Sequence, residues 1–399
     1  MFFFKRKRKP QKLFVSIAAG ANQIPLIKAA REMGYRVISV DQDTAAPGFI
    51  FSDIRIQESI KNTNEIYQKL RELLLDGKIS AILTRSFADA VFSTAELCDK
   101  LSIPFIKPEN VENFIDKQKM KALFVDNNIL TPDYSIYNPR RKKGYNFPAI
   151  VKPVVGHAKS GVKLVNSLDD LIKFTSPYIK DKKQFIIEEY IDGDEIIVFG
   201  IVKKGTFYLY EITDKTTTPP PYFVDIMHSS PSKHSSFYQE ITEIGQKTAA
   251  AFDVNCSPLV LECKIRDNNI YVLEAVAEFG GEYIPEVIIT HTTGHNFFKA
   301  AIAAMTDDNF TPPSYKKNQN SSVVRYITGK KGRFDTYTPL DTAFAKISLF
   351  KIFKNSNDPV NSPKTNHDRI GVVAACAKTK EIAAERCEKA ISKLNIQYK

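Results

Sequence analysis

No stretch of this 399-residue sequence approaches the roughly 18 consecutive apolar residues that a membrane-spanning helix needs, so no membrane span is expected. No apolar core follows the basic run Lys5-Arg6-Lys7-Arg8-Lys9, so the start does not read as a signal peptide. Five cysteines (Cys98, Cys256, Cys263, Cys376 and Cys387) are scattered and odd in number, and no two of them have C-x-x-C spacing. That argues against a disulfide framework or a zinc site and for a reducing compartment, hence a cytoplasmic protein. The first strand–turn–helix unit has only Gly20 where a dinucleotide site would show G-x-G-x-x-G, so it is not read as one. His291 and His295, in HTTGH, lack the glutamate of the H-E-x-x-H zinc motif and read as structural. No internal repeat is present.

What remains is ordinary in bulk and specific in detail. Hydrophobic residues make up 43% and charged residues 25%, as in a globular protein of two or three domains. The net charge is +11, part of it in the block Lys5–Lys9. Such a block could touch nucleic acid or an anionic membrane surface, but a solvated terminus is the preferred reading, and nucleic acid is not expected as a partner.

Residues 13–19, 35–40 and 79–83 read as strands, with helices over 23–33, 64–75 and 88–101 and a short strand near 104–106. This is the pattern of a parallel α/β domain. Arg85 and Asp89 follow a strand end, where such sheets place ligands, although a surface ion pair would look the same. A helix is expected over 111–127, then strands over 184–191, 195–202 and 206–212. Residues 214–234 contain Pro219-Pro220-Pro221 and read as an irregular, substrate-facing or merely connecting loop. A helix over 237–252 precedes strands at 259–265 and 270–276. Strands at 321–328, 344–353 and 370–377 and a helix at 379–394 close the chain.

Two stretches carry chemistry. In FPAIVKPVVGHAKSGVKLV (147–165), a strand ends in Lys152-Pro153, then a loop with Gly156, Ser160 and Gly161 leads to another strand. Backbone N–H groups of such a loop, with a lysine at its mouth, suit a polyphosphate; an ordinary hairpin turn would read alike. The second stretch is the hairpin 259–276. With a three-residue turn, Asp267-Asn268-Asn269, Arg266 faces Ile270 and Glu262 faces Glu274. Like charges opposite one another are destabilising. A divalent cation between them removes the repulsion, and oxygen ligands suit Mg²⁺. A solvated sheet edge is the competing explanation. Arg325 or Arg369 could offer a fork to a carboxylate, and His228 or His234 could face a substrate.

Taken together, the chain resembles the ATP-grasp carboxylate–amine ligases over roughly residues 13–395, in the arrangement of biotin carboxylase, carbamoyl-phosphate synthase and the L-amino-acid ligases. AAGANQIPLIKAAREMGYRVISVD and LTRSFADA look like the family's first α/β domain, DKQKMKALFVDNNILTPDY like its D-K-x-x-M helix, and FPAIVKPVVGHAKSGV like its phosphate loop. FIIEEYIDGDE resembles the hinge that holds adenine and ribose; LECKI and VLEAVAEFGGEY resemble the metal-binding strands. The resemblance implies an α/β ATP-grasp fold: a basic arm (1–12), a first α/β domain (13–107), an ATP-grasp domain (108–305, lid about 121–190) and a C-terminal α+β region (306–399).

It also implies site residues. Lys117 and Lys152 would contact phosphates, with Ser160 and Gly161 in the closing loop. Glu188, Glu189 and Ile191 would line the adenine–ribose hinge, Glu195 would be a ribose or hinge partner, and Glu262 and Glu274 would hold Mg²⁺ (or Mn²⁺). Lys152, Glu262 and Glu274 would be catalytic. The implied reaction activates a carboxylate as an acyl phosphate with ATP and joins it to an amine or thiol, releasing ADP and phosphate. Small-molecule acids and amines are the implied partners, with a homodimer possible. The family usually shows E-x-N-x-R or E-x-A-x-R at the second metal strand. Here Val276 and Glu278 occupy the third and fifth places of Glu274-Ala275-Val276-Ala277-Glu278. That departure opens a second reading, a relative that binds nucleotide without ligase turnover.

Overall fold

The computed structural model describes residues 11–74, 77–141, 143–178, 183–313, 315, 320–342 and 346–399. The Lys5–Lys9 run, the last residue of the helix expected at 64–75 and the start of the strand expected at 344–353 lie outside them.

Four strands form a parallel sheet of order β3-β2-β1-β4: β1 (Gln11–Ile17), β2 (Arg36–Asp41), β3 (Ile54–Gln57) and β4 (Gly77–Leu83). Helices Ile24–Glu32, Thr63–Leu73 and Asp89–Lys100 accompany it, which is why β1 and β2 read as continuous hydrophobic runs. Sequence reasoning misses β3, an edge strand in which only Ile56 is buried. The strand expected near 104–106 is a single bridge, Ile106 to Val254. The helix expected over 111–127 breaks at Asp116, whose carboxylate caps helix Lys117–Asp126 by accepting from the backbone N–H groups of Gln118 and Lys119.

A small antiparallel sheet follows, of order β5-β8-β6-β7: β5 (Tyr134–Ile136), β6 (Ala149–Pro153), β7 (Lys163–Val165) and β8 (Phe185–Glu189). It has its own core, including Val151, Val165, Leu171 and Phe185. It faces an eight-stranded antiparallel sheet of order β13-β12-β9-β10-β11-β14-β18-β16. Those strands are β9 (Asp194–Lys203), β10 (Thr206–Thr217), β11 (Asp225–Ser230), β12 (Cys256–Arg266), β13 (Asn269–Val276), β14 (Ser321–Ile327), β16 (Leu349–Ile352) and β18 (Gly371–Ala377). β15 (Gly332–Thr336), β17 (Pro359–Val360) and β19 (Gln397–Tyr398) form a third, minor layer. The large sheet is continuous from β9 to β18, so it runs across residue 305 without a break.

Two expectations are corrected here. Residues 214–234 are not one irregular loop: β10 continues to Thr217, the prolines turn the chain, and β11 lies in the middle of the large sheet. The hairpin turn at 267 has two residues, not three. Asp267 (φ 51°) and Asn268 (φ 60°) are both left-handed, and Arg266 pairs with Asn269. Glu262 still faces Glu274, because β13 has one extra residue, Leu273, between the partners of Glu262 and Cys263. The longer turn that was expected and the bulge that was not shift the register equally.

Candidate functional site

Between the small sheet and the large one lies a cavity of about 260 Å³, and beside it a smaller one of about 70 Å³. Lys152 ends β6 inside the cleft. Its Nζ donates to Glu274 Oε1 across the gap at 3.0 Å and lies 3.1 Å from Glu188 Oε2. Burial opposes its charge, but Glu188 and Glu274 outweigh that and hold its pKa above the ordinary lysine value. Lys117 opens its helix at the cavity wall, 3.8 Å from Glu274 Oε2, and its Nζ donates to the Gly156 carbonyl at 2.9 Å. Burial alone would raise the Glu274 pKa; Lys117 and Lys152 overcome it and hold the carboxyl well below the usual range.

Glu262, opposite Glu274, meets a cation that sequence reasoning missed. Lys215 Nζ lies 3.0 Å from Glu262, 3.2 Å from Asp225 and 3.3 Å from Glu195. Burial disfavours its charge, yet Asp225, Glu262 and Glu195 hold its pKa well above normal. Burial likewise works against the Glu195 carboxylate, but Lys159, Lys215 and Lys264 bring its pKa down to about 2. Lys121, also missed, is fully buried 3.3 Å from Glu188, and desolvation pushes its pKa down to about 8.

The loop after β6 closes over the cavity. Gly156, Lys159 and Ser160 line it. Ala158 (φ 55°) and Lys159 (φ 59°) are left-handed, as is Gly161 (φ 75°), where a Cβ would stand 2.9 Å from the Pro153 ring. Gly161 shapes the loop from behind and does not line the cavity. Lys159 lines both cavities. Its place in a loop of mixed residues gave no signal beyond its charge.

The smaller cavity collects the hinge: Glu188, Glu189, Ile191 and Glu195 line it, opposite Ile150 and the bulged Leu273. Glu189 is half exposed and pairs with Arg266 at 3.2 Å. Tyr190 and Phe223 stack at 5.8 Å between centroids. Hence all the expected site residues except Gly161 line one cavity or the other.

Other candidates separate. Asp89 pairs with exposed Lys61, away from the cleft, whereas Arg85 reaches Glu286 at 2.8 Å and the Gly280 carbonyl at 3.4 Å at its border. Arg325 pairs with Glu388 outside the site, and His234 with Asp194. Arg369 forks onto Glu282, a cavity residue, at 2.5 and 3.0 Å, and lies over the Tyr326 ring. His228 is buried 3.7 Å from Glu282. Asp225, His228 and Glu282 are close enough to bracket an ion, but Lys215 and Arg369 already neutralise the two carboxylates. His291 and His295 do not line the cavity. Val276 lines it without an oxygen ligand, and Glu278 lines it as a half-buried carboxyl whose pKa burial raises to about 7.

Comparison with known proteins places this cleft within a recognised domain type. The ATP-grasp domain family matches residues 145–286. An uncharacterized protein, y4rH, of Sinorhizobium fredii is 20% identical over 398 residues, covering 92% of this chain and 79% of that protein. The D-alanine–D-alanine ligase of Aquifex aeolicus is 27% identical over 194 residues, 47% of this chain and 59% of that ligase. The crystal structure of an L-amino acid ligase from Bacillus licheniformis superposes with a TM-score of 0.82 at 17% identity, covering 98% of this chain and all of that one. That last likeness is one of fold.

Proposed function

We propose that this chain, whose residues 145–286 match the ATP-grasp domain family, is an ATP-grasp protein and an ATP-dependent ligase that activates a carboxylate as an acyl phosphate and joins it to an amine, releasing ADP and phosphate. The observation that carries this reading is the set of cations on the facing Glu262 and Glu274: Lys152 reaches Glu274 across the cleft, Lys117 lies beside it, and Lys215 holds Glu262 from within the large sheet. In the structure these charges neutralise one another. When nucleotide binds, Lys117, Lys152 and Lys159 would hold phosphate oxygens, and Glu262 and Glu274 would hold the metal, with Lys215 remaining beside Glu262.

The donor set fits Mg²⁺ or Mn²⁺. Glu262 and Glu274 present only oxygen, face one another on adjacent strands and remain partly accessible, at 37% and 29% side-chain exposure. When bound, the ion would offset the charge developing on the transferred phosphoryl group. The chain's own part is positioning. Ile150, Ile191 and Leu273 form an apolar slot for the adenine ring, with Glu189 and Glu195 at its edge for ribose hydroxyls. Lys152 is aimed by Glu188 from behind. The loop with Ser160 shields the cavity from water, which an acyl phosphate requires. An acid carboxylate then takes the terminal phosphoryl group as its bond to ADP breaks. The amine nitrogen attacks the acyl carbon, the bond to phosphate breaks, and the amine proton leaves.

A second reading, nucleotide binding without turnover, is motivated by Val276 and Glu278. One experiment separates the two. Ligase chemistry gives phosphate release that needs an acid and an amine together, and Glu274→Gln lowers it by about 100-fold or more while the protein stays folded. Full turnover in that variant would end the metal assignment; nucleotide binding without release for any pair would favour the second reading.

A further inference from the structure

Three acids stand on the stretch that leaves β13 and enters the π-helical turn Ile284–Ile289: Glu278, Glu282 and Glu286. Two are held by arginines from distant parts of the chain, Glu282 by Arg369 and Glu286 by Arg85. The other acids of the larger cavity are also paired, Asp225 and Glu262 with Lys215 and Glu274 with Lys152. Among the described residues, Glu278 is the one acid lining that cavity with no cation in ionic contact. Its carboxyl accepts from the backbone N–H groups of Phe279 and Gly280. The Arg85 guanidinium attracts it from nearby but is engaged with Glu286, the Gly280 carbonyl and the Asn22 carbonyl.

Packing fixes where Glu278 points. Its neighbours Ala277 and Phe279 are buried, and Phe279 packs on Phe297 and Phe298. Gly280 turns the chain at φ 65°, and a Cβ there would meet the Phe199 ring at 2.8 Å. A residue between two anchored neighbours cannot rotate away from the cavity without moving the core. A half-buried carboxylate without a counter-charge is costly to keep ionised, and a cationic ligand removes that cost.

We infer that Glu278 docks the ammonium group of the amine substrate, so that the compound entering the larger cavity carries a primary ammonium. This rests on the ligase reading above and adds the charge of the second substrate. The same carboxylate repels a second anionic group at that position, which selects against dicarboxylates. The cavity volume of about 260 Å³ suits a small amine or amino acid.

The test uses the full chain saturated with MgADP and a panel of the twenty common L-amino acids, simple alkylamines and the matching deamino acids. Binding is read by thermal shift and calorimetry. At least one ammonium-bearing compound is expected to bind, while its deamino partner does not. Glu278→Gln should weaken that binding by about tenfold or more, the size of a lost charge-assisted hydrogen bond, with MgADP affinity unchanged. Undiminished amine binding in the variant overturns the assignment, as does a panel in which no ammonium-bearing compound binds. Phosphate release with the same compounds keeps the two readings apart. Amine binding that depends on Glu278 without turnover contradicts the ligase reading alone. Turnover with an unchanged amine KM in Glu278→Gln contradicts the assignment alone.

Discussion

Glu278 shows at the scale of one residue how a site can work against the stability of its own fold. Burial raises its pKa from 4.5 to about 7, even with Arg85 and two backbone N–H groups favouring the ionised form. The folded chain therefore holds this proton more tightly than the unfolded chain. The stability it contributes is complete below pH 4.5 and lost as pH rises through about 7. Glu278→Gln lacks this loss. The ligand-free variant should gain stability over the parent as pH goes from 5 to 8, by on the order of 1–3 kcal/mol. Denaturant melts at both pH values check it, and a difference independent of pH would contradict it. Lys152, Glu262 and Glu274 were legible because strand ends and a hairpin register are local properties. Lys215 was not, because its importance comes from a partner far along the chain, Glu262, 47 residues away. Arg369 stood out as a fork for a carboxylate, but its partner Glu282, 87 residues away, did not.

Among the elements, the loop of 154–162 and the hairpin of β12 and β13 matter most. Gly161 sits at φ 75° against Pro153, so a methyl group there meets both backbone strain and a clash. Gly161→Ala should cost the closed loop about 1–2 kcal/mol, the left-handed penalty, and raise the KM for ATP by roughly 5–30-fold. The melting temperature should barely move, because the loop stands apart from the core. An unchanged KM for ATP would show that the loop does not close on nucleotide. The hairpin shows how an element can be read correctly for an incomplete reason. Asp267-Asn268 is the two-residue left-handed turn that an Asp-Asn pair favours, and the bulge at Leu273 restores the glutamate pairing. Bulges follow from twist and from what lies on the cavity side, neither visible in alternation alone. β11 escaped notice for a similar reason: DIMHSS has little strand patterning, and its place is set by β10 and β14 on either side.

On the scale of the molecule, three parts of the chain converge on one cavity. The loop after β6 touches the first α/β unit through His157 and Phe87, with ring centroids 6.3 Å apart, and the C-terminal region through the Asn366 N–H donating to the Ala158 carbonyl at 3.2 Å. Arg85 from the first unit and Arg369 from the last hold the acids that follow β13. A ligand bound at this junction stabilises all three parts together, so MgATP at 100 times its Kd should raise the unfolding free energy by about 2.7 kcal/mol. Chelating the metal should remove most of that gain. A gain unaffected by chelation would show that Glu262 and Glu274 hold no ion. Apart from β3 and β11, the main strands of the parallel sheet and of the large antiparallel sheet were legible from hydrophobic period, as was the closing helix. The convergence was not, since it depends on contacts between residues hundreds of positions apart. The central claim is that this cleft makes a bond and does not merely hold a nucleotide. Phosphate release measured with ATP, Mg²⁺ and paired amino acids and small acids tests it most directly. The expected result is release that needs both partners of at least one pair and disappears in Glu274→Gln; ATP binding with no pair-dependent release, or release undiminished in that variant, would contradict the account.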